Sequence, residues 1–394
     1  MRCNKYTVTF EEELHDQKDF LSSSYLHFKK LYEIIVHRFI HPGQFNHMHE
    51  ELRSGKLITI KELAKMIGVS PTTVSNVIRG KTNEVSQQTI EKVQKVLKEV
   101  NYIPNMTAIN LAKNSSNVIG YVMNAKGIIQ DNAVQDFFTG ELIGALEMEI
   151  RKAGYYMMIY ISDDIDEIIK FVSSWNVDGL IALGFNHDNA QKLREVYQKP
   201  LVFIDGHFYD DGNEYNNVGL EDYKGAYEMT NYLIECGHKR MGFLANNYIG
   251  INNERYRGFK EAIKNAGLPE EAGEKFFIEK SGEGIKRCMD ELMKRISDFS
   301  ALFFISDNCA VVAMDYLMDN GIRIPEDISV VGYDDAAVAS LVRPKLTTVR
   351  QNPTQKARVA FAKLMKLIND PNEKAENIIL PISLCIRQSV KNFN

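Results

Sequence analysis

Between residues 57 and 104, apolar residues recur every three or four positions in three short runs, each opened by a hydroxyl residue and closed by glycine or proline. Ile60, Leu63, Ala64 and Ile67 form one face behind Thr59-Ile60-Lys61-Glu62. There the Thr59 hydroxyl and the Glu62 carboxylate can each satisfy an orphan amide, so a helix is predicted that ends at Gly68. Ser70 as N-cap and Pro71 in the first turn predict a second helix from Pro71 to about Arg79, stopping at Gly80. A third follows the cap Ser86, with Ile90, Val93, Val96, Leu97 and Val100 on one side, and ends before Pro104. The first two, separated by a short glycine-containing turn, form a helix-turn-helix.

From Val118 onward the period changes. Apolar runs at 118–123, 156–161, 179–183 and 201–204 alternate with amphipathic stretches of helical length. A second series has runs at 241–245, 301–305 and 328–333, with helices such as 222–236 and 308–320 between them. Continuous apolar strands separated by helices are the mark of parallel sheets covered on both faces. Two consecutive sets predict two doubly wound lobes, and ligands of such sheets bind beyond the carboxyl ends of the strands. The predicted fold class is α/β: a three-helix head followed by a two-lobed core.

Composition narrows the class. With 44% hydrophobic and 25% charged residues the 394-residue chain can bury a substantial core. No apolar stretch reaches the ~20 residues of a membrane helix, and the acidic N-terminus lacks a charged-then-apolar leader, so a cytoplasmic protein with no membrane partner is expected. Cys3, Cys236, Cys288, Cys309 and Cys385 lie far apart with no C-x-x-C pair, which suggests neither a disulfide framework nor a zinc site. The chain has no G-x-x-x-x-G-K-[ST], G-x-S-x-G, H-E-x-x-H or G-x-G-x-x-G, and its nine histidines do not cluster with other ligands. No catalytic residue, metal or cofactor is expected.

Charge is unevenly distributed. Residues 57–118 carry eight bases against four acids, whereas 119–394 carry 31 bases against 40 acids. A small basic head on an acidic body suits a protein in which only the head meets phosphates. In the second helix Val74, Val77 and Ile78 take core positions, leaving Thr72, Thr73, Ser75 and Asn76 outward. Short hydroxyl and amide side chains at the start of an exposed second helix are what reading base edges in a major groove requires.

The run ITIKELAKMIGVSPTTVSNVIRGKTNEVSQQTIEKVQKVLKEVNYIPNMTAINLAKNSSNVIG closely resembles the N-terminal region of the lactose/galactose-repressor family. The resemblance extends over about 57–394, through NVDGLI (176–181), ECGHKRMGFL (235–244), ERYRGF (254–259), IPEDISVVGYDD (324–335) and LTTVRQ (346–351). It implies a DNA-binding head (57–104), a hinge (105–117) and a core (118–394) like the periplasmic sugar-binding proteins. A homodimeric repressor on a near-palindromic operator, controlled by a small-molecule effector of carbohydrate type, is then expected.

By position, the resemblance assigns Pro71, Thr72 and Asn76 to base reading, while Ser70 and Ser75 fall on phosphate or backbone contacts and Thr73 lies beside them. In the hinge, Leu111 with Ala112 matches the residues entering a central minor-groove step. Arg255 matches an arginine that hydrogen-bonds the effector, and Asp334 a carboxylate of the same site. Asp205 and Asp307 at strand ends, and Phe138 just ahead of a helix, are further candidates for the effector cleft. The family likeness places crossovers between lobes near Gly219, Lys345 and Asn372, giving lobes of 118–218 with 347–372 and of 219–346 with 373–394. Residues 1–56 fall outside the resemblance. The reading expects either a natural start at Leu57, where relatives begin with methionine, or a helical extension built on the amphipathic stretch Phe20 to Ile40.

Overall fold

The computed structural model describes residues 58–100, 102, 115–127, 132–208, 215–279 and 283–394. The chain separates into two compact units, Met1–Asn105 and Met106–Asn394. The extension 1–56, most of the hinge, and with it Leu111 and Ala112, lie outside the described residues.

The head contains α1 (Ile60–Ile67), α2 (Pro71–Ile78) and α3 (Gln87–Glu99). The capping box of α1 is formed: the Thr59 amide donates to the Glu62 carboxylate at 2.7 Å and the Glu62 amide donates to Thr59 Oγ1 at 3.3 Å. Gly68 ends α1 at φ 77°, a left-handed conformation in which a side chain would be strained. Leu63, Ala64, Ile67, Val74, Val77 and Val93 are buried together, with Ile78 packed against them. Lys92 Nζ donates to the Ile67 carbonyl at 2.7 Å, joining α3 to the end of α1.

The core opens with β1 (Val118–Asn124), α4 (Phe137–Lys152), β2 (Tyr156–Ser162), α5 (Ile165–Ser174), β3 (Gly179–Leu183), α6 (His187–Val196), β4 (Leu201–Ile204) and β5 (Asn217–Leu220). It continues through α7 (Asp222–Glu235), β6 (Met241–Ala245), α8 (Gly250–Asn265), β7 (Gly273–Phe277), α9 (Gly284–Met293) and β8 (Ala301–Phe304). Then come α10 (Asp307–Asp319), β9 (Ser329–Asp334), α11 (Ala337–Leu341), β10 (Thr347–Arg350), α12 (Pro353–Asn369), β11 (Asn377–Leu380) and β12 (Ser383–Cys385). Two six-stranded sheets result, ordered β11-β5-β4-β3-β1-β2 and β12-β10-β9-β8-β6-β7. Their described pairings are parallel except β10 with β12. Every residue of β3, β4, β6 and β8 is buried, which is why these strands read as unbroken apolar runs. No described helix is long and apolar enough to cross a membrane.

Two of the three expected crossovers are displaced. The chain leaves the first sheet after β5, which ends at Leu220. However, β10 pairs with β9, so the return to the first lobe falls after Arg350 rather than near Lys345. Likewise β11 pairs with β5, so the last crossing falls after Leu380 rather than near Asn372. Strand pairing fixes these points, and a short apolar segment such as 377–380 carries no mark of which sheet it will join.

Candidate functional site: a polar helix face and a charged cleft

In the head, Ser70 caps α2: its Oγ accepts from the Thr73 amide at 3.0 Å and lies 2.9 Å from the Thr73 hydroxyl. Pro71 and Thr72 are exposed on the first turn, and Ser75 and Asn76 are half-buried one turn further on. Val74 and Val77 lock the opposite side into the core. The expected base-reading residues Pro71, Thr72 and Asn76 therefore share a rigidly mounted helix with the cap, whereas Thr73 is already engaged by Ser70.

In the core, the first lobe brings four polar groups to the boundary with the second. Asp136 caps α4, with Oδ1 accepting from the Thr139 amide at 2.9 Å and the Thr139 hydroxyl at 2.8 Å. Phe138 is not ahead of α4 but in its first turn. Asp205 follows β4 in a left-handed conformation, φ 52°. Lys356, on α12, is only 1% exposed. Its Nζ donates to both oxygens of Asp205, at 2.7 and 2.8 Å, and to Gln351 Oε1 at 2.9 Å, and lies 5.0 Å from the Phe138 ring centroid. Gln351, at the crossover between β10 and α12, in turn donates from Nε2 to Asp334 Oδ1 at 2.6 Å. An unbroken chain Asp205–Lys356–Gln351–Asp334 thus links the lobes.

The second lobe supplies Arg255. Its Nε donates to Asp222 Oδ1 at 2.7 Å, its Nη1 to the Ile305 carbonyl at 2.8 Å, and its Cζ lies 3.6 Å from the centre of the Tyr333 ring. Arg255 reaches this position because α8 lies tight on α7. A Cβ at Gly258 would stand 2.1 Å from the Tyr223 carbonyl oxygen, so glycine is required there. Asp334 ends β9 at φ 128°. Burial pushes its carboxyl up to about 7, opposed by Arg255 and reinforced by Asp136. Burial likewise raises Asp136 and Asp205, the latter against the pull of Lys356. Asp307 is completely buried at the start of α10, where Oδ1 accepts from the Thr348 hydroxyl at 2.5 Å and Oδ2 from the Ala336 amide at 2.8 Å. Burial and the neighbouring Asp334 push Asp307 well above the usual carboxylate range.

Of the expected cleft residues, Arg255, Asp334 and Asp307 fall on the second lobe, and Asp205 and Phe138 on the first. Asp307 braces the turn after Asp334. Four partners escaped the sequence reading: Asp136, Asp222, Gln351 and Lys356. One signal existed for Lys356. It lies with Ala357, Ala360, Phe361 and Leu364 on the buried face of α12, and a lysine on an apolar stripe needs a buried partner. Between the lobes, a cavity of about 390 Å³ opens beside Asp205 and Asp222, lined also by His207, Phe208, Ile251 and Glu254.

Comparison with known proteins gives this arrangement a family. Residues 59–105 match the bacterial regulatory proteins of the lacI family, and residues 230–390 match a periplasmic binding protein-like domain. The HTH-type transcriptional repressor PurR of Pasteurella multocida is 31% identical over 348 residues, 85% of this chain and 99% of that protein. PurR of Haemophilus influenzae is also 31% identical, over 86% of this chain and 100% of its own length. Among solved structures, the Lac repressor dimer bound to operator and an anti-inducer superposes with a TM-score of 0.75 at 23% identity, covering 85% of this chain and all of that one. The complex of the transcriptional regulator CelR with cellobiose matches at a TM-score of 0.62 and 25% identity, over 84% and 99% of the two chains. The chain belongs to the lacI family and is a DNA-binding transcriptional repressor of that family.

Proposed function

We propose that this repressor binds a near-palindromic operator as a homodimer, and that a small polar ligand, a sugar or sugar derivative, held between the two core lobes sets its operator affinity. Pro71, Thr72 and Asn76 read bases, Ser70, Thr73 and Ser75 hold the helix and meet phosphate, and Leu111 with Ala112 enters the minor groove. Arg255, Asp334, Asp205 and Phe138 frame the ligand, with Asp307 holding Asp334 in place. The observation that carries the reading is the buried polar chain between lobes. A guanidinium and carboxylates held in one cleft suit a ligand whose hydroxyls both donate and accept.

The CelR complex supports a sugar, being a relative of similar length with cellobiose bound. The Lac repressor, solved as a dimer on its operator, supports the assembly. An apolar edge on the first lobe, where Tyr156, Ile159 and Trp175 are exposed, is available to a second copy.

The test is a gel-shift titration of the full chain on an operator selected from random DNA, with and without each of a panel of neutral sugars. Asp222 would be orphaned by loss of Arg255 alone, so the comparison variant carries Arg255→Ala with Asp222→Asn. One sugar is expected to change the wild-type affinity at least tenfold, about 1.4 kcal/mol, and to leave the variant unmoved. An equal response in both proteins refutes the cleft assignment.

A further inference from the structure

The run NVDGLI at 176–181 supplies no residue to the cleft described above, yet its aspartate holds a defined set of partners. Asp178 Oδ1 accepts from the Ser116 amide at 2.8 Å and the Ser116 hydroxyl at 3.0 Å. Its Oδ2 accepts from the Asn117 amide at 2.8 Å and the Ser115 hydroxyl at 2.5 Å. Four donors from three consecutive residues thus converge on one carboxylate, and hydrogen bonds to an ionised acceptor are the stronger kind. Burial would raise the Asp178 carboxyl, but these bonds outweigh it and hold the group below the usual carboxylate range.

The backbone that carries this carboxylate is itself held on both sides. Val177 is buried, Lys199 Nζ donates to the Val177 carbonyl at 2.9 Å and to Asn176 Oδ1 at 2.5 Å, and the Asp178 amide donates to the Val118 carbonyl at 2.8 Å. What it grips is a segment the sheet hardly reaches. Pairing of β1 begins at Val118 with β2 and at Ile119 with β3, and the one sheet-side bond ahead of these runs from the Tyr156 amide to the Asn117 carbonyl, at 2.8 Å. Closing the end of the sheet therefore accounts for Asn117, which turns the chain at φ 52°, and stops there. The grip of Asp178 extends two residues further upstream, to Ser116 and Ser115, at the end of the hinge segment 105–117 that joins head to core along the chain.

We infer that Asp178 is a positioning residue for operator binding: it clamps the end of the hinge segment to the first lobe, and so fixes where the chain departs toward the head, without itself meeting DNA. Once the clamp is gone, Ser115 and Ser116 are tethered only through Asn117. The connection is then longer and looser, and DNA binding must order the added freedom. The sign of the effect distinguishes this from charge. Removing an acid that lies near phosphate raises affinity for DNA, whereas releasing the hinge lowers it. A purely structural Asp178 would instead set Tm and leave the operator affinity of the folded protein unchanged.

The test is a gel-shift titration of the full chain on an operator selected from random DNA with the unmodified protein, at a temperature where circular dichroism shows each variant folded. Asp178→Asn keeps the size of the side chain but turns an amide group toward donors. It is expected to weaken operator binding at least roughly fivefold, with the salt slope unchanged. Ser115→Ala with Ser116→Ala removes two donors from the other side and should weaken binding in the same direction by less, because the Ser116 and Asn117 amides still reach Asp178. All three substitutions together should cost no more than Asp178→Asn alone. Unchanged or raised affinity in Asp178→Asn overturns the inference, as does a changed salt slope, which would place this segment on the phosphates. Losses that add across the two sets show that the serines and Asp178 act separately and overturn it too. Should Asp178→Asn fail to fold, the serine pair decides: a loss of operator affinity supports the clamp, and none refutes it.

Discussion

Lys356→Met tests the buried ion pair that joins α12 to the end of β4. Methionine keeps the length and volume of the lysine stem but removes all three donors, two from Asp205 and one from Gln351. Asp205 is only 6% exposed at its side chain, so it becomes a largely desolvated carboxylate with no cation beside it. Removing one member of such a pair costs about 3–5 kcal/mol, because the remaining charge stays desolvated. For a core of this size each kcal/mol moves Tm by roughly 2–4 °C, so a fall of about 6–20 °C is expected. The second arm adds Asp205→Asn, which removes the charge and tolerates the left-handed backbone at φ 52°. That double variant should recover about half or more of the loss, since only an amide is then left short of partners. Thermal unfolding followed by circular dichroism reads all four corners of the cycle. A loss under about 1 kcal/mol in Lys356→Met, or a double variant no more stable than the single, refutes the claim that Lys356 exists to hold Asp205.

Three other perturbations read different parts of the molecule. Asn76→Ala should abolish discrimination at one base pair per half-site, about 1–3 kcal/mol in competition gel shifts, and an equal loss on every sequence would mark a phosphate contact instead. Gly258→Ala places a Cβ 2.1 Å from the Tyr223 carbonyl, so α8 must move off α7, and a variant of unchanged Tm would contradict the packing that seats Arg255. Asp334, whose carboxyl is lifted from 3.8 to about 7 by burial, retains its proton in the folded state over a range where the unfolded chain has lost it. Its contribution to stability is therefore largest below about pH 4 and falls as the pH rises toward 7. Asp334→Asn keeps the acceptor for Gln351 and escapes that fall, so the variant should gain on the order of 3 kcal/mol at pH 7 relative to pH 4. Parallel Tm–pH curves for the two proteins would refute it.

The parts legible in the sequence are those whose information is local. The capping box at Thr59, the glycine stops and the buried strands β3, β4, β6 and β8 announce themselves within a few residues. Strands β7, β11 and β12 do not, because each stands at a sheet edge with exposed positions breaking its apolar run, and the neighbour it joins is set by pairing. The same reason displaced two crossovers. Arg255 and Asp334 were assigned to the cleft only through the resemblance of their local runs, ERYRGF and VVGYDD, to the family. Lys356 and Asp205 are 151 positions apart, and nothing in either local sequence names the other. What could be read was a lysine on the apolar stripe of α12, where Lys363 repeats the device by pairing with Glu373 at 2.7 Å.

The position of Gln351 bears on how occupancy of the cleft could reach the head. A ligand shifts a conformational equilibrium only by its differential affinity for the two states, so some group must hold different partners in each. Gln351 stands at the crossover between β10 and α12 and accepts from Lys356 while donating to Asp334, one partner on each lobe. A ligand that draws on Asp334 competes directly for that hydrogen bond, and relaxing it frees the crossover to follow a change in lobe angle. The coupling is reciprocal: whatever factor the ligand imposes on operator affinity, the operator imposes on ligand affinity. If a ligand in the cleft sets operator affinity, as proposed, a crossover residue bonded to both lobes is a better place for the switch than Arg255, whose described hydrogen bonds both lie within the second lobe.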